Sequence, residues 1–302
     1  MSCRSISLPS KKTLRYSEKT TCVVMLMAWL LLPAFAYGQN AKQLETVKRI
    51  KNNEAVFGSW IYLTDPAVTE IIATAGYDFV IFDLEHGRLN ENIAYNMSLA
   101  LGDSKCIPIM RVAANQSDQI KKALETGALG IMVPFINNKE EAERAVKASK
   151  YAPEGNRGVD YGRGQKWGKD TQTYYNTANK MIAVILIVDS KEGVNNIDSI
   201  VEVAGIDVIL PGVYDLSGAY GVPGQTSHPQ VLEAVEKIVQ ACKRKEISIA
   251  AFATNREAIE KKMRQGARFI ELTVDTDLLW QAAERSMKEA ASANWRYGGG
   301  NQ

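Results

Sequence analysis

Residues 117–136 read Ser117-Asp118-Gln119-Ile120-Lys121-Lys122-Ala123-Leu124-Glu125-Thr126-Gly127-Ala128-Leu129-Gly130-Ile131-Met132-Val133-Pro134-Phe135-Ile136, and this stretch contains the unit from which the chain is built. Ser117–Thr126 is an amphipathic helical pattern, Gly127 stands where a helix end favours a left-handed residue, and Gly130–Ile136 is a short β-rich apolar run. The same succession recurs along the sequence. Strands are predicted at Val56–Leu63, Phe79–His86, Cys106–Ala113, Gly130–Ile136, Ile182–Asp189, Ile206–Gly212, Ile247–Ala253 and Arg268–Asp275. Helical patterns fall between them at Pro66–Ala75, Ser117–Thr126, Lys139–Ser149, Pro229–Arg244 and Arg256–Gln265, after a charged lead helix at Ala41–Asn52. Gly76, Gly205 and Gly266 repeat the role of Gly127.

Eight strand–helix units in roughly 250 residues predict an α/β fold of one parallel (β/α)8 TIM barrel over 39–292, since a doubly wound sheet more often uses five or six strands. In such a barrel the chemistry sits at the C-terminal strand ends. Those positions are Trp60, then Asp83, Glu85 and His86, then Arg111, Pro134, Asp189, Gly212 with Asp215, Thr254 and Asp275. Acids with one histidine and one arginine suit a metal-dependent site acting on a small anion.

The run Phe82-Asp83-Leu84-Glu85-His86-Gly87 carries one of only two histidines. A neutral imidazole beside Asp83 or Glu85 has the makings of a general base, the alternative being a histidine that only satisfies a turn. Each candidate has a plainer reading. Asp215 is otherwise an N-cap, Asp189 a strand-end turn acid, Arg111 half of a structural ion pair, Trp60 core rather than pocket wall. His228, before Pro229, reads as a helix start.

The formal net charge of +2 conceals a basic leader: residues 1–38 carry five basic residues and one acid, which leaves −2 for the rest and makes nucleic acid a poor partner. In that leader the apolar run Cys22–Leu32 is followed by Pro33 and Ala34-Phe35-Ala36, the pattern of a signal peptide cleaved after Ala36 or Gly38. The expectation is an exported protein, periplasmic or secreted, with no stable membrane insertion after cleavage; the alternative is anchoring by an uncleaved leader. Cleavage leaves Cys106 and Cys242, too few for a disulfide framework or a cysteine metal site. Tyr151–Lys180, rich in Gly, Tyr and charge, reads as a lid or subunit contact over the barrel mouth, and 293–302 as a flexible tail.

Several motifs occur in a telling order: Gly58-Ser59-Trp60, Ala75-Gly76-Tyr77-Asp78, Asp83-Leu84-Glu85-His86-Gly87, Pro108-Ile109-Met110-Arg111-Val112, Leu124-Glu125-Thr126-Gly127-Ala128, Val133-Pro134, Tyr151-Ala152-Pro153-Glu154-Gly155-Asn156-Arg157-Gly158, and Gly205-Ile206-Asp207 leading to Asp215-Leu216-Ser217. The series, from about Asn53 to Leu279, resembles the HpcH/HpaI family of class II pyruvate aldolases, of the phosphoenolpyruvate/pyruvate-binding barrel superfamily. The resemblance implies a carbon–carbon lyase, an aldehyde-lyase that cleaves or forms 4-hydroxy-2-oxo acids through a pyruvate enolate, built as a homo-oligomer (trimer or hexamer). It implies Asp189 and Asp215 as metal ligands, His86 paired with Asp83 as the base, and Arg111 facing the pyruvate carboxylate and keto oxygen. Trp60, Gly212, Tyr214 and Glu125 would line the substrate site, Glu125 from a neighbouring subunit. Two carboxylates with water and substrate oxygens suit Mg²⁺ or Mn²⁺, with Co²⁺ able to substitute.

Three positions depart from the family pattern: Asp189 stands for a glutamate, Ile187 for a glutamine, and Gly212-Val213-Tyr214-Asp215 for Gly-Pro-Ala-Asp. Asp for Glu withdraws the ligand by about 1.5 Å, one carbon–carbon bond. The alternatives are therefore a catalytically altered exported barrel that binds a 2-oxo acid, or a lyase that decarboxylates or condenses oxaloacetate.

Overall fold

A computed structural model describes residues 41–292. The expected leader (1–38) falls outside the described residues, and so does the expected tail (293–302). Eight strands close into one parallel barrel in sequence order: β1 Val56–Ile61, β2 Phe79–Asp83, β3 Ile107–Arg111, β4 Gly130–Val133, β5 Ala183–Val188, β6 Val208–Pro211, β7 Ser248–Phe252 and β8 Ala267–Val274. The helices are α1 Ala41–Lys51, α2 Pro66–Thr74, α3 Glu91–Leu99, α4 Ser117–Glu125, α5 Lys139–Ser149, α6 Thr171–Met181, α7 Lys191–Asn195, α8 Ile197–Ile200, α9 Val213–Ala219, α10 Pro229–Arg244, α11 Arg256–Arg264 and α12 Asp275–Ser292. Every predicted strand is present and trimmed at its C-terminal end, where the chain turns away from its neighbours, while β8 begins one residue earlier than predicted, at Ala267.

Alternation along the strands builds two cores. Phe79, Ile81, Ile109, Ile185, Ile187, Val208 and Phe269 fill the barrel interior, with the Phe79 and Phe269 rings stacked at 3.9 Å between centroids. Val80, Phe82, Met110, Val184, Leu186 and Ile270 face outward, under the helices. His228 caps α10 by accepting from Gln230 N–H, as the sequence suggests, and Pro229 occupies the first turn.

The lead helix α1 closes the end of the barrel where the strands begin. Val47 and Ile50 join the interior core, Gln43 donates to the Cys106 carbonyl at 2.8 Å, and Arg49 and Lys51 pair at 2.8 Å with Asp78 and Asp207, just before β2 and β6. Those acids also accept strand N–H groups, Asp78 from Phe57 and Asp207 from Val184. The plug is therefore stitched into the first residues of the sheet.

The segment expected to cover the barrel mouth lies at this same end. It connects the C-terminus of α5 to the first residue of β5, and both are at the strand-start side. Arg163 packs on Gly127 and donates to the Thr126 carbonyl at 3.5 Å, and Tyr151 exchanges hydrogen bonds with Asn179 of α6. A lid over this chain's own mouth is thereby corrected, because the topology delivers the segment to the opposite face.

The last helix contrasts with the rest. Of α12 only Asp275 is buried, while Leu278, Leu279, Trp280 and Met287 are exposed. Among the described residues no helix is long and apolar enough to cross a membrane.

Candidate active site

The ends of β2 and β3 lie side by side, with Asp83 opposite Arg111 in the register. Asp83 is wholly buried, and its Oδ1 accepts the N–H groups of Glu85 (2.9 Å) and His86 (3.1 Å), which folds the chain into a tight turn. Gly87 completes the turn because a Cβ there would stand 2.3 Å from the Asp83 carbonyl oxygen. Asp83 Oδ2 lies 3.4 Å from Arg111 Nη1, and the Tyr62 hydroxyl also donates to this carboxylate. Burial and the Asp83 charge together hold the Tyr62 phenol well above its ordinary range.

Arg111 is gripped from several sides. Its Nη2 meets Glu85, the Trp60 ring lies 5.5 Å from its Cζ, and its Nε is buried with no hydrogen-bond partner among the described residues. A fixed guanidinium with a donor to spare is suited to a carboxylate or keto oxygen. Glu85, pushed up by burial against the opposing pull of Arg111 and His86, also touches the imidazole: His86 Nε2 is 3.8 Å from Glu85 Oε1. The resemblance pairs His86 with Asp83, and the residues alone left Asp83 or Glu85 open; Glu85 is the carboxylate beside the ring, while Asp83 accepts the His86 backbone N–H. Both Asp83 oxygens are committed to the turn, Arg111 and Tyr62, so the ring's neighbour is Glu85, while more than half of the His86 side chain remains open to solvent.

Asp189 follows β5 and is 5% exposed. Its Oδ2 accepts the Phe135 N–H at 3.1 Å, whereas Oδ1 is buried with no partner among the described residues. Burial pushes this carboxyl up to about 6; the Phe135 bond opposes the rise, and the charges of Asp215 and Glu85 add to it. Gly212 packs its backbone on Asp189, since a Cβ there would come within 2.7 Å of the Asp189 Cβ. Asp215 projects from the first turn of α9 and is exposed. An orphaned carboxylate oxygen in the field of two further acids fits a divalent cation. Among the described residues no cluster of three or more His, Cys, Asp or Glu side chains encloses an ion, so a cation on Asp189 and Asp215 would take its remaining ligands from water and substrate.

Two expected lining residues are placed differently. Tyr214 is 74% exposed, and Glu125 ends α4 at the strand-start side, beneath the Tyr151 segment, with a buried Oε1 that has no partner among the described residues. Glu125 therefore does not line the mouth of its own barrel.

Three neighbours were missed by sequence reasoning: Tyr62, Phe135 and Glu271. Phe135 adopts φ +57° and is 49% exposed, a conformation costly for a bulky residue, and it aims its N–H at Asp189. Glu271 is buried within β8, and an acid interrupting the apolar run Phe269–Leu272 was the available signal.

The chain has relatives among known proteins. The model of the HpcH/HpaI aldolase/citrate lyase family matches residues 56–282. This chain belongs to the HpcH/HpaI aldolase/citrate lyase family. It is 30% identical over 253 residues to a hydroxypyruvate/pyruvate aldolase of Roseobacter denitrificans, covering 83% of this chain and 96% of that protein. It is 32% identical over 236 residues to a 2-keto-3-deoxy-L-rhamnonate aldolase of Klebsiella pneumoniae, covering 78% and 88%. Its barrel superposes on the crystal structure of an HpcH/HpaI family protein of Burkholderia cenocepacia with a TM-score of 0.78 at 28% identity, over 82% of this chain and 99% of the other. In this member of the HpcH/HpaI family, whose named relatives are carbon–carbon lyases, the Asp83–Arg111 pair lies at the ends of β2 and β3, Asp189 follows β5 and Asp215 lies in the first turn of α9.

Proposed function

We propose that the protein is an exported, divalent-cation-dependent lyase that cleaves or forms 4-hydroxy-2-oxo acids by way of a pyruvate enolate. The observation that carries this reading is the buried, partnerless Oδ1 of Asp189 on the same rim as an Arg111 whose Nε is equally unpaired. Buried polar atoms without partners cost stability, and two of opposite sign at strand ends are sites awaiting a ligand.

Arg111 binds the carboxylate of the 2-oxo acid and stabilises negative charge as the enolate forms. His86, steadied by Glu85 and open to solvent, takes the proton from the 4-hydroxyl in cleavage and returns it in synthesis. Asp83 keeps the turn and the guanidinium in place. Asp189 and Asp215 would hold a Mg²⁺ or Mn²⁺ ion, with Co²⁺ as a substitute, which would supply Lewis-acid polarisation of the 2-oxo group. The relatives named for aldol cleavage of keto acids support the substrate class.

The exposed apolar side chains of α12 and the buried Glu125 Oε1, without a partner among the described residues, support assembly into a homo-oligomer, trimer or hexamer, measurable by sedimentation. The leader pattern over Cys22–Ala36 supports export, which N-terminal sequencing of the mature protein tests. The deciding experiment for the activity is pyruvate release from a 4-hydroxy-2-oxo acid in the presence of Mn²⁺. Turnover that survives exhaustive chelation overturns the proposal.

A further inference from the structure

Strand β8 carries Phe269 into the barrel interior, so Glu271, two residues on, enters the same space. Its register partner on β1 is Gly58, which has no room for a side chain because a Cβ there would stand 2.1 Å from the Phe79 ring. The next interior residue up β1 is Trp60, and its indole N–H donates to the Glu271 carboxylate. The other carboxylate oxygen, Oε1, is buried without a hydrogen-bond partner among the described residues, and the residue is 3% exposed.

Such a group is expensive to keep in a barrel interior. Burial pushes Glu271 up to about 7, against the opposing influence of the Trp60 hydrogen bond and the Arg111 charge. The charged and titratable groups that act on it are Arg111 from β3 and Tyr62 from the end of β1; its register partner on β7 is Phe252, which does not titrate. An apolar residue would pack here at less cost, so the acid is retained for what it holds. It holds the indole whose ring face lies 5.5 Å from the Arg111 guanidinium.

We propose that Glu271 is a positioning residue for substrate binding: its carboxylate fixes the Trp60 indole, and the indole sets the plane in which Arg111 receives the substrate carboxylate. The inference rests on the reading of Arg111 as the 2-oxo acid anchor, and it adds a link from the eighth strand to the third through the first.

The test uses the full-length mature protein, with Mn²⁺ and oxalate as a planar mimic of the enolate. In Glu271→Ala, Mn²⁺ affinity should stay within about threefold of wild type while oxalate affinity falls at least about tenfold, because a lost bidentate geometry acts on the anion and not on the cation site. Glu271→Gln, which still accepts from the indole, should restore oxalate binding to within about threefold. Trp60→Phe should match Glu271→Ala, and the double variant should be no worse than either alone, as expected for two members of one chain of contacts. In turnover the loss should appear in KM rather than kcat. If Glu271→Ala does not fold, Trp60→Phe still decides, since wild-type oxalate affinity in that variant overturns the proposal. Additive effects in the double variant, or a Gln variant as impaired as the Ala variant, overturn it as well. A wild-type protein that binds no oxalate with Mn²⁺ overturns the lyase reading and this inference together, whereas wild-type binding left unchanged in Glu271→Ala overturns this inference alone.

Discussion

Asp83 Oδ2 lies 3.4 Å from Arg111 Nη1, and both residues are held opposite one another by the β2–β3 register. The acid also closes the turn that carries His86, so one buried pair couples the anchor for the substrate to the loop that bears the base.

Arg111→Ala should lower kcat/KM by about 10²–10³-fold, the usual cost of removing one preorganised donor of this kind. It should also lower thermal stability, because it leaves the buried Asp83 without its counter-charge. Arg111→Lys keeps the charge but not the planar fork and should fall between the two. Steady-state kinetics with melting curves on the three proteins checks both parts.

Gly212→Ala should weaken Mn²⁺ binding by about tenfold, in the range seen when support for a metal ligand is disturbed. Its φ of −75° is open to any residue, so the effect is steric, arising from the 2.7 Å approach to Asp189. Calorimetric titration with Mn²⁺ reads it directly, and an unchanged affinity removes Gly212 from the support of Asp189.

Mn²⁺ at 100 times its dissociation constant should stabilise the wild-type protein by about 2.7 kcal/mol. Asp189→Asn and Asp215→Asn should each abolish most of that gain. Urea unfolding with and without the ion tests it; a variant that still responds fully is not a ligand.

The pH dependence of stability has a definite sign for Glu271. Its carboxyl sits at about 7 in the folded protein against 4.5 ordinarily, so the native state holds the proton more tightly than the unfolded chain. Its contribution is complete below about 4.5 and disappears as the pH rises through about 7, a loss on the order of 3 kcal/mol. Glu271→Gln lacks this loss. It should be more resistant to urea than wild type at pH 8.5, with the gap closing near pH 4.5.

The architecture was legible because period-two apolar runs and glycines before strands mark the repeats without reference to tertiary contacts. Lys139–Ser149 and Pro229–Arg244 are helices with the bounds their patterns indicate. The site was less legible, for reasons specific to each residue. The partner of His86 depends on which carboxylate the turn consumes, and Asp83-Leu84-Glu85-His86 offers two within three positions. Phe135 contributes its backbone in a left-handed conformation that no side-chain pattern announces. Glu271 hides in a strand whose periodicity assigns it inward but says nothing of the indole that meets it. The placement of the Tyr151 segment was accessible by counting alone, since a connection from a helix end to a strand start must run along the strand-start side.

The clasp formed by Arg49 with Asp78 and Lys51 with Asp207 shares no side chain with the rim that bears Arg111 and Asp189. Durability and reactivity are thus vested in opposite poles of the cylinder. A laboratory lineage selected for new aldehyde acceptors can therefore randomise the catalytic pole while the basal pole keeps each descendant foldable.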